Sequence, residues 1–118
     1  MVKILIVDDA FFVRVKLKNL LESNGYDVVE AENGKLAIET YEKEKPDLIL
    51  LDITMPEMDG LAALKRFHEM DPAIKVVMLT GVGEQSVLME ALSNGAKNFL
   101  IKPVDEDKVL DVIKTQTS

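Results

Sequence analysis

Two apolar runs in this chain end in aspartate: Ile4-Leu5-Ile6-Val7 leads into Asp8-Asp9, and Leu48-Ile49-Leu50-Leu51 leads into Asp52. Unbroken apolar runs of this length are typical of strands covered on both faces. Such strands lie side by side in parallel sheets, so acids far apart in sequence become neighbours at one sheet edge. Three carboxylates about 5 Å apart repel by roughly 3 kcal/mol per pair at an effective dielectric near 20, so the cluster needs a cation or a shared proton. The chain has no cysteine, which removes thiolate ligands and disfavours zinc. A hard ion with oxygen ligands, such as Mg²⁺, fits the remaining chemistry.

Two further apolar runs end in polar residues of other kinds. Val76-Val77-Met78-Leu79 leads into Thr80, and Phe99-Leu100-Ile101 leads into Lys102-Pro103. Each residue alone has a structural explanation: an aspartate after a strand caps the next helix, a threonine fits a turn, a lysine is solvated. Independent capping roles, however, do not gather three acids, a hydroxyl and a cation on the rim where open α/β sheets bind ligands. These residue types suit phosphoryl transfer to a carboxylate. Asp8 and Asp9 supply charge for Mg²⁺, and Asp52 can act as the nucleophile. Lys102 and Mg²⁺ neutralise the transferring group, while the Thr80 hydroxyl donates to one of its oxygens.

Strands and helices that could position these groups alternate strictly. Lys3 to Val7 reads as strand, and helical spacing of Val13, Leu17, Leu20 and Leu21 predicts a helix from about Phe11 to Ser23. Asn24-Gly25 stops that helix, and Asn94-Gly95 repeats the device after a predicted helix from Glu84 to Ser93. Between them the pattern predicts a strand Val28 to Ala31, a helix Gly34 to Glu44 and a strand Leu48 to Leu51. A helix Asp59 to Met70 and a strand Val76 to Leu79 complete that stretch. Pro46 and Pro72 punctuate helix exits. A last strand, Phe99 to Ile101, precedes a helix from Asp105 to Lys114, and Thr115 to Ser118 is expected to fray. Strict alternation implies an α/β doubly wound parallel sheet with helices on both faces, joined by right-handed crossovers.

At 118 residues and 47% hydrophobic content, one compact domain over 1–118 is expected, with no linker or second pattern for an output domain. A net charge of −7 argues against nucleic acid as the main ligand. The apolar run after Met1-Val2-Lys3 is too short for a signal peptide or a membrane span, so a soluble, cytoplasmic monomer without membrane partners is expected.

Assembled, these residues resemble the receiver domains of two-component response regulators over essentially the whole chain. The resemblance rests on Val7-Asp8-Asp9, on Leu51-Asp52-Ile53-Thr54-Met55-Pro56-Glu57-Met58-Asp59-Gly60, on Leu79-Thr80-Gly81, and on Ile101-Lys102-Pro103. It implies a flavodoxin-like (βα)5 fold with strand order 2-1-3-4-5. It also implies Asp52 as phosphoacceptor, Asp8, Asp9, Asp52 and the Thr54 backbone carbonyl around Mg²⁺, Lys102 bridging to the phosphoryl group, and a cis peptide before Pro103. Thr80 and Phe99 are implied as the switch pair: the threonine moves toward the phosphoryl group and frees space for the aromatic ring. Plain core packing is the competing explanation for Phe99. The surface that would respond is the fourth helix with the fifth strand and helix.

Within the family, Asp8 to Arg14, the loop after Asp52, and Gly83-Glu84-Gln85 are similar to stand-alone chemotaxis receivers. That likeness implies a histidine kinase as phosphodonor and a flagellar motor component or motor adaptor as target. The protein would be a signalling switch, its only chemistry self-phosphorylation and autodephosphorylation. A receiver module of a larger regulator, a phosphorelay intermediate of the sporulation type, and a phosphorylation-independent scaffold are the alternatives.

Other chemistries fit less well. A haloacid dehalogenase would need two aspartates with one residue between them on the first strand, whereas Asp8 and Asp9 are adjacent. A dinucleotide or flavin site needs a phosphate-binding turn after that strand; the one Gly-x-Gly, Gly81-Val82-Gly83, follows the fourth, with Ser86 where a third glycine belongs. His68, among Lys65, Arg66 and Glu69, is expected on a solvated turn without a role. Met55 and Met58 are expected to fill gaps, and Met89 to face a partner. Gly81 either keeps the phosphoryl site open or eases a turn. Val82, two residues past Thr80, sits where family members tune phosphoryl lifetime.

Overall fold

The computed structural model describes residues 1–55 and 58–118; Pro56 and Glu57, part of the motif after Asp52, lie outside the described residues. The strands are β1 (Lys3–Val7), β2 (Asp27–Ala31), β3 (Leu48–Asp52), β4 (Val76–Thr80) and β5 (Asn98–Ile101). The helices are α1 (Phe11–Ser23), α2 (Gly34–Glu44), α3 (Gly60–Met70), α4 (Gln85–Ser93) and α5 (Glu106–Thr117). All strand pairs are parallel, in the order β2-β1-β3-β4-β5. The implied fold and order are therefore observed. No helix among the described residues is long and apolar enough to cross a membrane.

The period of two along each strand divides the core. Leu5, Val7, Ile49, Leu51, Val76 and Met78 pack on one face with Ala37 and Ile38 of α2, Ala63, Leu64 and Phe67 of α3, and Ala91 of α4. Ile4, Ile6, Leu48, Leu50, Val77 and Leu79 pack on the other with Leu17 and Leu21 of α1 and Val109 and Ile113 of α5. Covered on both faces, β3 and β4 are buried along their full length, while the edge strands β2 and β5 are partly exposed. Burying each large aliphatic side chain contributes roughly 1.5–3 kcal/mol, which fixes the register and with it the rim.

Helix ends follow from local chemistry. The side chains of Asn33 and Asp59 accept from the amides of Leu36 and Ala62, and Asp105 accepts from those of Asp107 and Lys108. Asp59 and Asp105 thus cap their helices from just outside. Both Asn-Gly stops close in the same way. Gly25 and Gly95 adopt positive φ, and Tyr26 N–H donates to Leu21 O at 3.0 Å as Ala96 N–H donates to Ala91 O at 3.1 Å.

Two expectations are corrected. Residues Thr115 to Thr117 continue α5, and the Thr117 hydroxyl donates to Ile113 O at 2.7 Å; the expected frayed tail shrinks to Ser118. His68 is half-buried, its ring so close to Gly95 that a Cβ there would lie 2.2 Å from Cε1. Lys65, Arg66 and Glu69 are exposed as expected, but α4 ends against His68.

Candidate functional site

The parallel register brings the polar strand ends together. Val7 pairs with Leu51, Asp52 with Leu79, and Thr80 with Ile101, so Asp8, Asp52, Thr80 and Lys102 stand at adjoining positions along one edge. Asp8, Asp52 and Thr80 are buried, the only polar residues in the core among those described. Asp9 is exposed. One oxygen from each of Asp8, Asp9 and Asp52 lies within 4.8 Å of the others.

Lys102 reaches into this acidic pocket from beyond β5. Its Nζ lies 3.0 Å from Asp52 Oδ1, to which it donates, and 2.8 Å from Asp8 Oδ2. The second contact is an ion pair by distance but falls outside hydrogen-bond geometry, which leaves Asp8 Oδ2 without a hydrogen-bond partner among the described residues. Burial opposes the lysine's charge, yet its contacts with Asp8 and Asp52 outweigh that and hold its pKa above the usual range. The peptide bond between Lys102 and Pro103 is cis.

Asp52 carries the largest electrostatic penalty. Burial first, and the nearby Asp8 carboxylate second, push its pKa up to about 6, against the pull of Lys102 and the Thr54 backbone N–H. The donor set is all oxygen, anionic and incompletely paired, and this fits a hard divalent cation. Asp8 Oδ1 is already engaged, accepting from Ala10 N–H at 2.9 Å. Its backbone carbonyl accepts from Arg14 Nη1 at 2.7 Å, and the same guanidinium pairs with Glu30 of β2 at 3.2 Å. Arg14 was part of the run after Asp8-Asp9, but nothing in that run signalled a tether.

Around this centre, Thr80 ends β4 with its hydroxyl 3.4 Å from the Gly81 carbonyl. Phe99 is partly exposed at 37%, and Ile101 and Met89 are more exposed. Val82 is 92% exposed. Met55 is buried and Met58 packs against the core, as gap-filling side chains do. Thr54 is exposed, its hydroxyl donating to the Glu84 carboxylate. Glu84 also accepts from Gly81 N–H. Sequence reasoning placed Glu84 only at a helix start, since nothing in strand register brings it to the rim.

A model of the response regulator receiver domain matches residues 4–114. The chemotaxis protein CheY of Bacillus subtilis is 48% identical over 112 residues, spanning 94% of this chain and 93% of that one. Sporulation initiation phosphotransferase F of the same organism is 40% identical, spanning 95% and 90%. The crystal structure of a CheY-like response regulator receiver domain protein from Methanospirillum hungatei superposes with a TM-score of 0.94 at 32% identity, covering 99% of this chain and 94% of that one.

Proposed function

We propose a function from one premise: the chain belongs to the response regulator receiver domain family. It is a phosphoacceptor signalling switch, and the observation that carries the assignment of Asp52 is its carboxylate at the end of a buried strand, 3.0 Å from the Lys102 ammonium. Asp52 attacks the phosphorus of a phosphohistidine on a histidine kinase. An O–P bond forms as the P–N bond breaks, and the imidazole leaves with the electron pair and takes a proton from solvent. Lys102 balances charge on the phosphoryl oxygens and Thr80 donates to one of them. Mg²⁺, held by Asp8, Asp9, Asp52 and the Thr54 carbonyl, would supply the remaining positive charge. Water attack on phosphorus then returns the free carboxylate and inorganic phosphate.

The change passes to the face made by α4, β5 and α5. Movement of Thr80 toward the phosphoryl group frees room for Phe99, whose ring stands partly exposed beside Ile101. Similarity to chemotaxis proteins supports motility control, through a flagellar motor component or a motor adaptor. The likeness to the sporulation phosphotransferase supports a second role, as a phosphorelay intermediate. Incubation with Mg²⁺ and acetyl phosphate should add one phosphoryl mass to the wild type and none to Asp52→Asn. Equal labelling of both would sink the assignment, and a partner that binds identically with and without phosphoryl analogue would mark a scaffold.

A further inference from the structure

Glu84 precedes the first residue of α4, the position from which a short polar side chain commonly caps the helix. Asn33, Asp59 and Asp105 do so at the starts of α2, α3 and α5. Glu84 makes no such bond. Its carboxylate turns away from α4, one oxygen accepting from Gly81 N–H and the other from the Thr54 hydroxyl. The chain folds back to allow this through Gly83, whose φ is +89°. The result is a carboxylate clamped between the loops that follow β3 and β4, held by the residue two past Asp52 in one and the residue after Thr80 in the other.

We propose that Glu84 is the resident anion of the rim, holding the donors of Thr54 and Gly81 while Asp52 is unmodified and yielding them when a phosphoryl group arrives. Its charge is secure. The Thr54 and Gly81 bonds, helped by the Lys102 charge and the Thr80 hydroxyl, hold its carboxyl below the usual range. Lys102 therefore acts on both carboxylates, so Glu84 and a phosphorylated Asp52 would compete for the same positive charge. A phosphoryl group brings up to two negative charges into that space, and Coulomb repulsion then works against the clamp. Because Glu84 adjoins α4, its release frees the first turn of the helix on the responding face. Glu84 is a positioning residue, setting how readily the modified state is reached.

This inference rests on Asp52 as the phosphoacceptor. The test is calorimetric binding of beryllofluoride, a phosphoryl analogue, in saturating Mg²⁺ to the wild type, Glu84→Gln and Thr54→Val. Removing the charge should tighten binding about tenfold. Removing only the hydroxyl should tighten it less, and adding Thr54→Val to Glu84→Gln should bring little more. A merely structural Glu84 would leave affinity unchanged or weaken it, and either result in a folded Glu84→Gln protein overturns the proposal. If that variant does not fold, Thr54→Val decides by the same criterion. Failure of the wild type itself to bind beryllofluoride would overturn the assignment of Asp52 and the clamp together.

Discussion

Asp52 shows how a single residue can be destabilised by the surroundings that make it useful. It is 4% exposed, beside Asp8, and its pKa is raised from 3.8 to about 6. A raised folded-state pKa means that the native protein binds this proton more tightly than the unfolded chain does. Its contribution to stability is complete below pH 3.8 and is lost as pH rises through about 6. Near pH 7 without metal, the ionised carboxylate is a burden. One pKa unit is worth about 1.4 kcal/mol, and a discount for solvent near the pocket mouth leaves about 1–2 kcal/mol. Asp52→Asn should therefore be more stable than the wild type by that amount in urea denaturation at pH 7 with chelator present. The gap should close as pH falls toward 5, and a gap that widened on acidification would refute the electrostatic account. This residue was legible in the sequence because an acid directly after four apolar strand residues has few places to go. Glu84 was not, because its partners depend on how two loops close.

At the scale of elements, the twin stops after α1 and α4 offer an internal control. Both glycines have left-handed backbones, Gly25 at φ +85° and Gly95 at φ +103°. A Cβ at Gly25 would meet nothing within 4 Å among the described residues, whereas one at Gly95 would meet the His68 ring at 2.2 Å. Gly25→Ala should cost only the backbone term, about 1–2 kcal/mol. Gly95→Ala should cost that plus about 1–3 kcal/mol of overpacking. His68→Ala introduced into Gly95→Ala should recover most of the excess while leaving the Gly25→Ala cost untouched; equal costs for the two glycines would remove His68 from the account. A related constraint acts at the site, because a Cβ on Gly60 would lie 2.2 Å from the Asp52 carbonyl oxygen. Gly60→Ala should push α3 off the end of β3, costing about 1–3 kcal/mol in urea denaturation and slowing acetyl phosphate labelling. A neutral effect on both would show that α3 does not position the acid. Both stops were readable from Asn-Gly pairs, but the contact between His68 and Gly95 was not, since helical periodicity orders one helix without saying what crosses it. Likewise the pattern ended α5 at Lys114, because the bond from the Thr117 hydroxyl to Ile113 leaves no periodic trace.

Across the whole molecule, the two apolar layers meet through one sheet, and both end at the acidic rim. Val7 and Leu51 lead into Asp8 and Asp52 from one layer, and Leu79 from the other packs next to Thr80. Core and site are continuous, so the electrostatic cost at the rim is borne by the stability of the entire fold. A cation that relieves the cost should therefore stabilise the protein globally. Magnesium at a hundredfold excess over its Kd adds about 2.7 kcal/mol to a two-state domain, on the order of 10 °C in Tm at this size. Asp9 separates this effect from ordinary packing, because it is exposed and its removal costs the core little. The wild type should melt at a higher temperature in Mg²⁺ than in chelator, and Asp9→Ala should melt near the wild type's chelated value in both. The Mg²⁺ shift should also shrink between pH 8 and pH 5, as Asp52 takes up a proton near its pKa of about 6 and leaves the ion one charge fewer to bind. An equal shift in Asp9→Ala would show that Mg²⁺ acts elsewhere on this acidic chain, and a shift independent of pH would show that Asp52 does not touch it.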